Sequence, residues 1–253
     1  MGMLDNKVCV VSGGAGSVGL ASASRFLQEG AKVMLLDLKA AELEEAKAKL
    51  RSDHVVTRVC DATDSGATRA AYEAAVAQWG SLDVVFSNAG NPGHIGTLDD
   101  YSEEAFERTL LIHGVGAFLA CKHAPSFMKE GGSIIITSSV AGVRGGAGIN
   151  IGYVAAKHAQ IGVMKAAARA VAARGIRVNA ICPGAIDNAF QTGIENRMTA
   201  LSGIDVTEQL NQTIPLKRHA HADEVAGLVL FLASSMSSYV TGAVHMVDGG
   251  MMS

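Results

Sequence analysis

Residues 7–19 read Lys-Val-Cys-Val-Val-Ser-Gly-Gly-Ala-Gly-Ser-Val-Gly, and a helical pattern continues from Val18 to Glu29 before Gly30. A short apolar run, Lys7–Ser12, enters a glycine-rich turn, and small and apolar residues at helical spacing leave it. Gly14, Gly16 and Gly19 spell G-x-G-x-x-G. Such a turn is tight, lets a pyrophosphate approach backbone N–H groups, and lets the helix pack closely on the strand. From this loop Gly13, Gly14, Gly16, Ser17, Val18 and Gly19 are expected at a dinucleotide. Asp37 ends the next apolar run, Lys32–Asp37, where a carboxylate accepts hydrogen bonds from ribose hydroxyls and repels a 2′-phosphate. The loop holds no Arg, and Leu38 follows Asp37, so NAD is expected over NADP. Lys39 argues weakly the other way. The plain alternative is that Asp37 only caps the next helix.

Outward from this unit the alternation continues. Strand-like runs are expected at His54–Cys60, Leu82–Ser87, Gly132–Ser138, Ile176–Ile181 and Ala243–Val247. Helices are expected at Ala40–Arg51, Asp64–Trp79, Ser102–Lys129, Gly152–Arg174 and Ala222–Ser234. Strands apolar on both faces, separated by helices, imply an α/β fold: a Rossmann-type, doubly wound parallel sheet of about seven strands with helices on both faces. Residues 1–253 read as one domain. The polar stretch from about Asp187 to Asn211–Thr213 is too long for an ordinary connection and reads as a small lid.

Composition narrows the function classes. The chain has 253 residues, 49% hydrophobic and 18% charged, with 29 Gly and 4 Pro. A chain of this length buries roughly 70–75% of its unfolded surface and needs no metal or disulfide for its core. The net charge of −3 and the lack of a basic stripe argue against nucleic acid as a partner. No apolar run reaches the ~18–20 residues of a membrane span, and Met1–Lys7 shows no secretory h-region. Cys9, Cys60, Cys121 and Cys182 lie far apart and read as buried free thiols, so a cytoplasmic location is expected.

Tyr153 and Lys157 stand at i and i+4 on one helical face. A phenol has an unperturbed pKa near 10, and a neighbouring ammonium is expected to lower it and make the tyrosine a usable acid/base. Ser138 and Ser139 end a strand at the carboxyl edge, where ligands of such sheets bind.

Together these residues resemble the short-chain dehydrogenase/reductase family along essentially the whole chain. The loop Ser12–Gly19 is similar to its T-G-x-x-x-G-x-G, and Asp61-Ala62-Thr63-Asp64 to its D-x-T/S-D. Ser87-Asn88-Ala89-Gly90 resembles N-N-A-G. Ser138-Ser139 and Tyr153-x-x-x-Lys157 match its catalytic motifs. Arg177-Val-Asn179 and Pro183-Gly184 match a region at the nicotinamide end, and Ser238–Gly242 with Val247–Gly250 match its C-terminal motifs. The resemblance implies hydride transfer between a nicotinamide and an alcohol or ketone. It implies Tyr153 as general acid/base, Lys157 as the group lowering its pKa and holding the nicotinamide ribose, and Ser139 as the group polarising the substrate oxygen. It places Asp61 and Ala62 near adenine, Asn88, Ala89 and Gly90 beside the cofactor, and Pro183, Gly184, Ile186 and Asn188 at its nicotinamide end. The family is commonly a homotetramer, with the helices 102–129 and 152–174 at one interface. Ala155, Ala156, Ala159, Gly162 and Ala166 form a small-residue face, and the tail 249–253 is expected at another interface.

Four departures stand out. Ser17 replaces a usual glycine. The Ser139–Tyr153 spacing is one residue longer, which the segment 143–151 can absorb. His113 stands where the family often has Asn, and is expected either in a proton relay, as a group titrating near neutral pH, or as a hydrogen-bonded core histidine. Asn188 replaces a usual Thr. Elsewhere, His219-Ala-His221 has metal-like spacing, but a helix-entry loop is the expected role, and no metal is expected. Arg144, His94 and Asn150 are loop residues near the expected site. Met198, Leu201, Ile204 and Leu210 give the lid an apolar side, which suits a partly apolar cyclic or aromatic small molecule. The reading is an NAD-dependent oxidoreductase acting on a secondary alcohol or ketone. The alternative is a catalytically silent NAD-binding sensor of the same fold. The longer Tyr–Lys spacing of enoyl reductases and the longer chains of sugar epimerases are not seen.

Overall fold

A computed structural model describes residues 2–146 and 148–253. Ala147, in the glycine-rich segment before Tyr153, and Met1, in the expected N-terminal reading, lie outside them. Seven strands form the sheet: β1 (Val8–Ser12), β2 (Lys32–Asp37), β3 (Val55–Val59), β4 (Leu82–Ser87), β5 (Met128–Thr137), β6 (Arg177–Pro183) and β7 (Val244–Val247). All pairs are parallel, in the order β3-β2-β1-β4-β5-β6-β7. The chain order reverses between β1 and β4. A crevice therefore opens above their carboxyl ends, where the glycine turn follows β1.

The helices are α1 (Ser17–Gln28), α2 (Ala40–Leu50), α3 (Ser65–Trp79), α4 (Glu103–Leu110), α5 (Gly116–His123), α6 (Ile151–Val171), α7 (Ala189–Ser202), α8 (Val206–Thr213) and α9 (Ala222–Ala233). Alternate residues of β1 point to opposite faces. Val8 and Val10 pack with Tyr72 of α3, Ala120 of α5 and Met164 of α6. Cys9 and Val11 pack with Phe26 of α1, Leu43 of α2 and Val229 of α9. Both faces are covered, as the doubly apolar strands imply. All four cysteines are buried and free. Among the described residues no helix is long and apolar enough to cross a membrane.

Two elements differ from the sequence reading. The expected helix 102–129 is α4, a π-turn at Leu111–Val115, α5, and a 3₁₀ turn at Ala124–Phe127 with Pro125 near its start. The apolar spacing is nearly continuous through the π-turn, so periodicity does not mark it. Strand β5 begins at Met128, not Gly132. Its register to β4 jumps from Leu82↔Met128 to Val84↔Ser133, and Gly131 at φ +86° accommodates the irregularity. The expected small-residue face of α6 is also divided: Ala156 is buried in the core, and Ala159 faces Gly114.

Candidate active site

The glycine turn is shaped by close backbone approaches. Gly13 has φ +64°, and a Cβ there would lie 2.9 Å from Ala89 Cα. Gly16 precedes α1 with no side-chain cap, so no side chain takes up the first-turn N–H groups of that helix. Gly14 and Gly19 do not line the cavity above the sheet. Gly14 packs on Leu35 and donates its N–H to Leu36 O (3.0 Å). A Cβ on Gly19 would meet Gly13 O at 2.2 Å. Both expected cofactor contacts are therefore turn and packing positions. Gly19→Ala should cost about 1–3 kcal/mol by overpacking against backbone. Chemical denaturation and dinucleotide titration of that variant check this, with both stability and affinity reduced.

Gly13, Gly16, Ser17, Val18, Asp37, Leu38, Asp61, Ala62, Asn88, Ala89, Gly90, His113, Ser139, Tyr153, Lys157, Pro183, Gly184, Ile186 and Asn188 all line one cavity of about 620 Å³. Asp37 does not cap α2, whose N-cap is Lys39. Its carboxylate accepts from Ala15 N–H (3.2 Å) and Leu38 N–H (2.8 Å), which fixes it at the cavity edge with lone pairs to spare. Lys39 Nζ is paired with Glu42 at 2.6 Å. Asp61 accepts from the N–H and hydroxyl of Thr63, both at 2.8 Å. Asn88 braces the crevice: its Nδ2 donates to Gly13 O (3.3 Å) and its Oδ1 accepts from Thr137 (3.0 Å). Arg177 and Asn179 lie away from the cavity. They bind the C-terminal segment, with Arg177 donating to Ser237 (2.7 Å) and Asn179 to Val240 O (2.8 Å). That corrects their expected place at the nicotinamide end.

The two substituted loop positions meet. Asn188 Nδ2 donates to Ser17 Oγ at 2.9 Å, while Asn188 Oδ1 caps α7 through Gln191 N–H at 2.8 Å. The lid helix is thus tied to the start of α1.

At the other end of the cavity, Ser138 is buried and donates to Lys157 O (2.9 Å). Ser139 faces the cavity, and its hydroxyl accepts from Ala141 N–H (3.1 Å). Lys157 Nζ donates to Thr137 O (2.9 Å) and lies 5.2 Å from the Tyr153 ring centre. The expected lowering of the phenol pKa is not found. Burial pushes Tyr153 up to about 12, against an opposing hydrogen bond with Ser139. Burial also pushes Lys157 down to about 7. Lys157 Nζ spends its hydrogen bond on the Thr137 carbonyl, and desolvation sets the direction of the Tyr153 shift.

His113 sits in the π-turn, buried, with its ring edge-on to Tyr153 at 5.4 Å between centres. Its Nε2 lies 2.9 Å from Asn91 O and 3.3 Å from the Asn91 N–H, and its Nδ1 is buried with no partner. Burial, with Lys157 nearby, lowers its pKa to about 3. His113 is therefore neutral across the physiological range and does not titrate near pH 7 as one expectation had it. Gly90 is the residue that leaves it room, since a Cβ there would meet the ring at 2.5 Å.

The lid segment folds as α7 and α8. Phe190, Ile194, Met198 and Leu210 line the cavity, and Phe190 lies 6.5 Å from Tyr153. Leu201 and Ile204 point outward, being 56% and 53% exposed. Buried Glu195 ties the segment to the body through His219 Nε2 (2.7 Å), and His219 Nδ1 reaches Asn211 at 2.8 Å. His221 caps α9. Arg144 and Asn150 line the cavity, whereas His94 does not and packs edge-on to Tyr101 at 5.0 Å. Met251, from the tail expected at an interface, also lines the cavity. Phe190, Ile194, Thr137, Asn91 and Met251 escaped the sequence reading. Only the i, i+4, i+8 spacing of Phe190, Ile194 and Met198 could have signalled them.

The residues fit a dinucleotide. Carboxylates stand at one end of the cavity, a helix start with glycine clearance at its middle, and Ser139, Tyr153 and Lys157 at the other. Comparisons with known proteins agree with this geometry. A family model described as Enoyl-(Acyl carrier protein) reductase matches residues 13–252. Levodione reductase of Leifsonia aquatica is 35% identical, over 97% of this chain and 94% of its own. (+)-Borneol dehydrogenase 1 of Salvia officinalis is 36% identical, over 98% and 94%. The crystal structure of NAD+-bound xylitol dehydrogenase superposes with a TM-score of 0.91 at 33% identity, covering 98% of this chain and 99% of that one. With motifs, topology and relatives in agreement, the chain belongs to the short-chain dehydrogenase/reductase family of oxidoreductases.

Proposed function

We propose that the protein interconverts a secondary alcohol and its ketone with NAD(H), on a partly apolar cyclic or aromatic substrate. The observation that carries this is the single cavity joining Asp37 and the glycine turn to Ser139, Tyr153 and Lys157. The nicotinamide, when bound, supplies or takes up the hydride. Gly13, Gly16 and the α1 N-terminus would hold the pyrophosphate, Asp37 the adenosine ribose, Asp61 and Ala62 the adenine surroundings, and Lys157 the second ribose. Ser139 donates to the substrate oxygen. Tyr153 holds its proton at neutral pH, which suits delivery from its hydroxyl to a carbonyl oxygen under reduction. Asn88 keeps the crevice edges in register, and His113 supports the Tyr153 ring. Phe190, Met198 and Leu210 cover the substrate and exclude water. A homotetramer is part of this reading; Leu111, Val115 and Phe118 leave an exposed apolar stripe across the π-turn and α5.

Asp37 favours NAD, because a 2′-phosphate beside its carboxylate meets like charge, and Lys39 is occupied by Glu42. Fluorescence titration should give NADH binding at least about tenfold tighter than NADPH, a difference of about 1.4 kcal/mol. Asp37→Ala should narrow that ratio. Tighter NADPH binding by the parent would remove Asp37 from its role. A panel of cyclic ketones followed at the nicotinamide absorbance tests turnover. NADH binding without turnover on any of them favours the silent sensor.

A further inference from the structure

The lid helix α7 is held by a buried polar hub. Among the described residues, Glu195 is the one buried side chain of α7, and the helix packs chiefly on α8. One face of α7, with Phe190, Ile194 and Met198, turns to the cavity. The adjacent face carries Gln191 and Glu195. Gln191 Nε2 donates to Glu195 Oε1 (2.7 Å), and Thr207 of α8 donates its hydroxyl to Oε2. Burial pushes the Glu195 carboxyl up, but the hydrogen bonds from His219, Thr207 and Gln191 outweigh it, so the group stands below its usual range and is ionised. His219 Nε2 lies 2.7 Å from Oε1, and since a carboxylate only accepts, the ring donates.

His219 belongs to the body of the protein. The next residue, Ala220, bridges to Ile186, donating its N–H to Ala185 O (3.0 Å) and accepting from Asp187 N–H (2.9 Å). From that fixed point the imidazole reaches both lid helices. Its Nε2 meets Glu195 of α7, and its Nδ1 lies 2.8 Å from Asn211 Oδ1 of α8. The Asn211 carboxamide can turn to suit Nδ1 with or without a hydrogen, so this second arm holds in either state of the ring. Arg218 points away, its guanidinium bound to both carboxylate oxygens of Glu224 at 2.7 Å, so it does not compete for Glu195. Asn188 secures the start of α7 to Ser17, and Val206 and Ile214 anchor the two ends of α8 by burial. Between these points the hub sets how closely the cavity face of α7 stands over Tyr153.

We propose that Glu195 and His219 form a latch that holds α7 down over the substrate, so that the pair sets ketone affinity without taking part in hydride or proton transfer. The inference rests on the dehydrogenase reading above and adds two positioning residues to it. Neither residue lines the cavity, so both act through Phe190, Ile194 and Met198. Breaking a buried ion pair on one side leaves an uncompensated charge, whereas replacing both partners by apolar groups is often neutral. Loss of His219 therefore leaves the Glu195 carboxylate short of a donor inside the lid, and α7 relieves it by swinging toward water. Loss of Glu195 is milder, because an imidazole sheds its charge more easily than the lid can open.

The test is a double-mutant cycle on a cyclic ketone that the parent reduces, under saturating NADH. His219→Leu should raise KM at least about tenfold, the order of a hydrogen bond to a charged group, while kcat stays within about threefold. Glu195→Leu should raise KM less, and the double variant should lie no further from the parent than His219→Leu does. His219→Gln, whose amide N–H still reaches Glu195, should recover most of the affinity. NADH affinity should hold within about threefold throughout, since Gly13, Gly16 and Asp37 are untouched. Amide hydrogen exchange of the NADH complexes reads the latch without chemistry: residues 189–213 should exchange at least about tenfold faster in His219→Leu, with β1 and α1 unchanged. A KM in His219→Leu within about twofold of the parent, or a rise matched by an equal loss of NADH affinity, overturns the inference. Should no ketone turn over, the dehydrogenase reading fails, and exchange over 189–213 alone decides the latch, equal rates in parent and variant overturning it.

Discussion

Tyr153→Phe should cut ketone reduction by about 10²–10⁴-fold, the usual contribution of a positioned general acid. NADH affinity should stay within a few-fold of the parent. The ring remains, and with it the edge contact to His113 at 5.4 Å and the approach of Phe190 at 6.5 Å. Only the hydroxyl is lost, and with it the proton that this site keeps on the phenol through neutral pH. Steady-state rates at saturating NADH, beside a fluorescence titration, read both halves. Retained turnover would remove Tyr153 from the chemistry, and joint loss of binding and turnover would make it a structural residue.

Lys157→Met should lower turnover about 100-fold or more and leave the fold at least as stable as before. The two effects share one cause. Lys157 is 4% exposed, and burial lowers its pKa from the usual 10.5 to about 7. The unfolded chain therefore binds the extra proton between about pH 7 and 10.5. Stability rises with pH across that window, and the burial cost is fully present below pH 7. That cost is on the order of a few kcal/mol. The hydrogen bond to Thr137 O that the variant loses is worth about 1 kcal/mol, so burial wins. Thermal melting should show Lys157→Met above the parent at pH 6, with the gap closing toward pH 10. In the proposed reaction a cation at Lys157 would hold the second ribose beside Tyr153; it is lost above about pH 7, so kcat/KM for reduction should fall there. That inflection should vanish in the variant. A variant less stable than the parent at pH 6 would show that Lys157 is held comfortably, against the burial argument.

The fold was legible because its determinants are local. Runs such as Lys32–Asp37 are apolar on both faces, and only a sheet covered twice accommodates them. The closeness of Tyr153 and Lys157 was legible for a similar reason: they share a helical face by spacing alone. What escaped depends on distant segments. The π-turn at Leu111–Val115 preserves apolar spacing, so no periodic break announces it. The pairing of Ser17 with Asn188 joins residues 171 positions apart. The direction of the Tyr153 and Lys157 shifts depends on how deeply each group is desolvated, which a sequence does not state. Arg177 and Asn179 illustrate the converse, since their motif is plain in the chain but serves the C-terminal segment.

The most direct test of the central claim is the fate of the transferred hydrogen. NADH carrying deuterium on one face of the nicotinamide C4, each face in turn, is incubated with the protein and a cyclic ketone of the panel. The product is then read by mass spectrometry. The account expects one deuterium on the new carbinol carbon from one face of the ring and none from the other, with Tyr153→Phe giving no product on the same timescale. Tight NADH binding with no labelled product from either face, across the ketone panel, would contradict it.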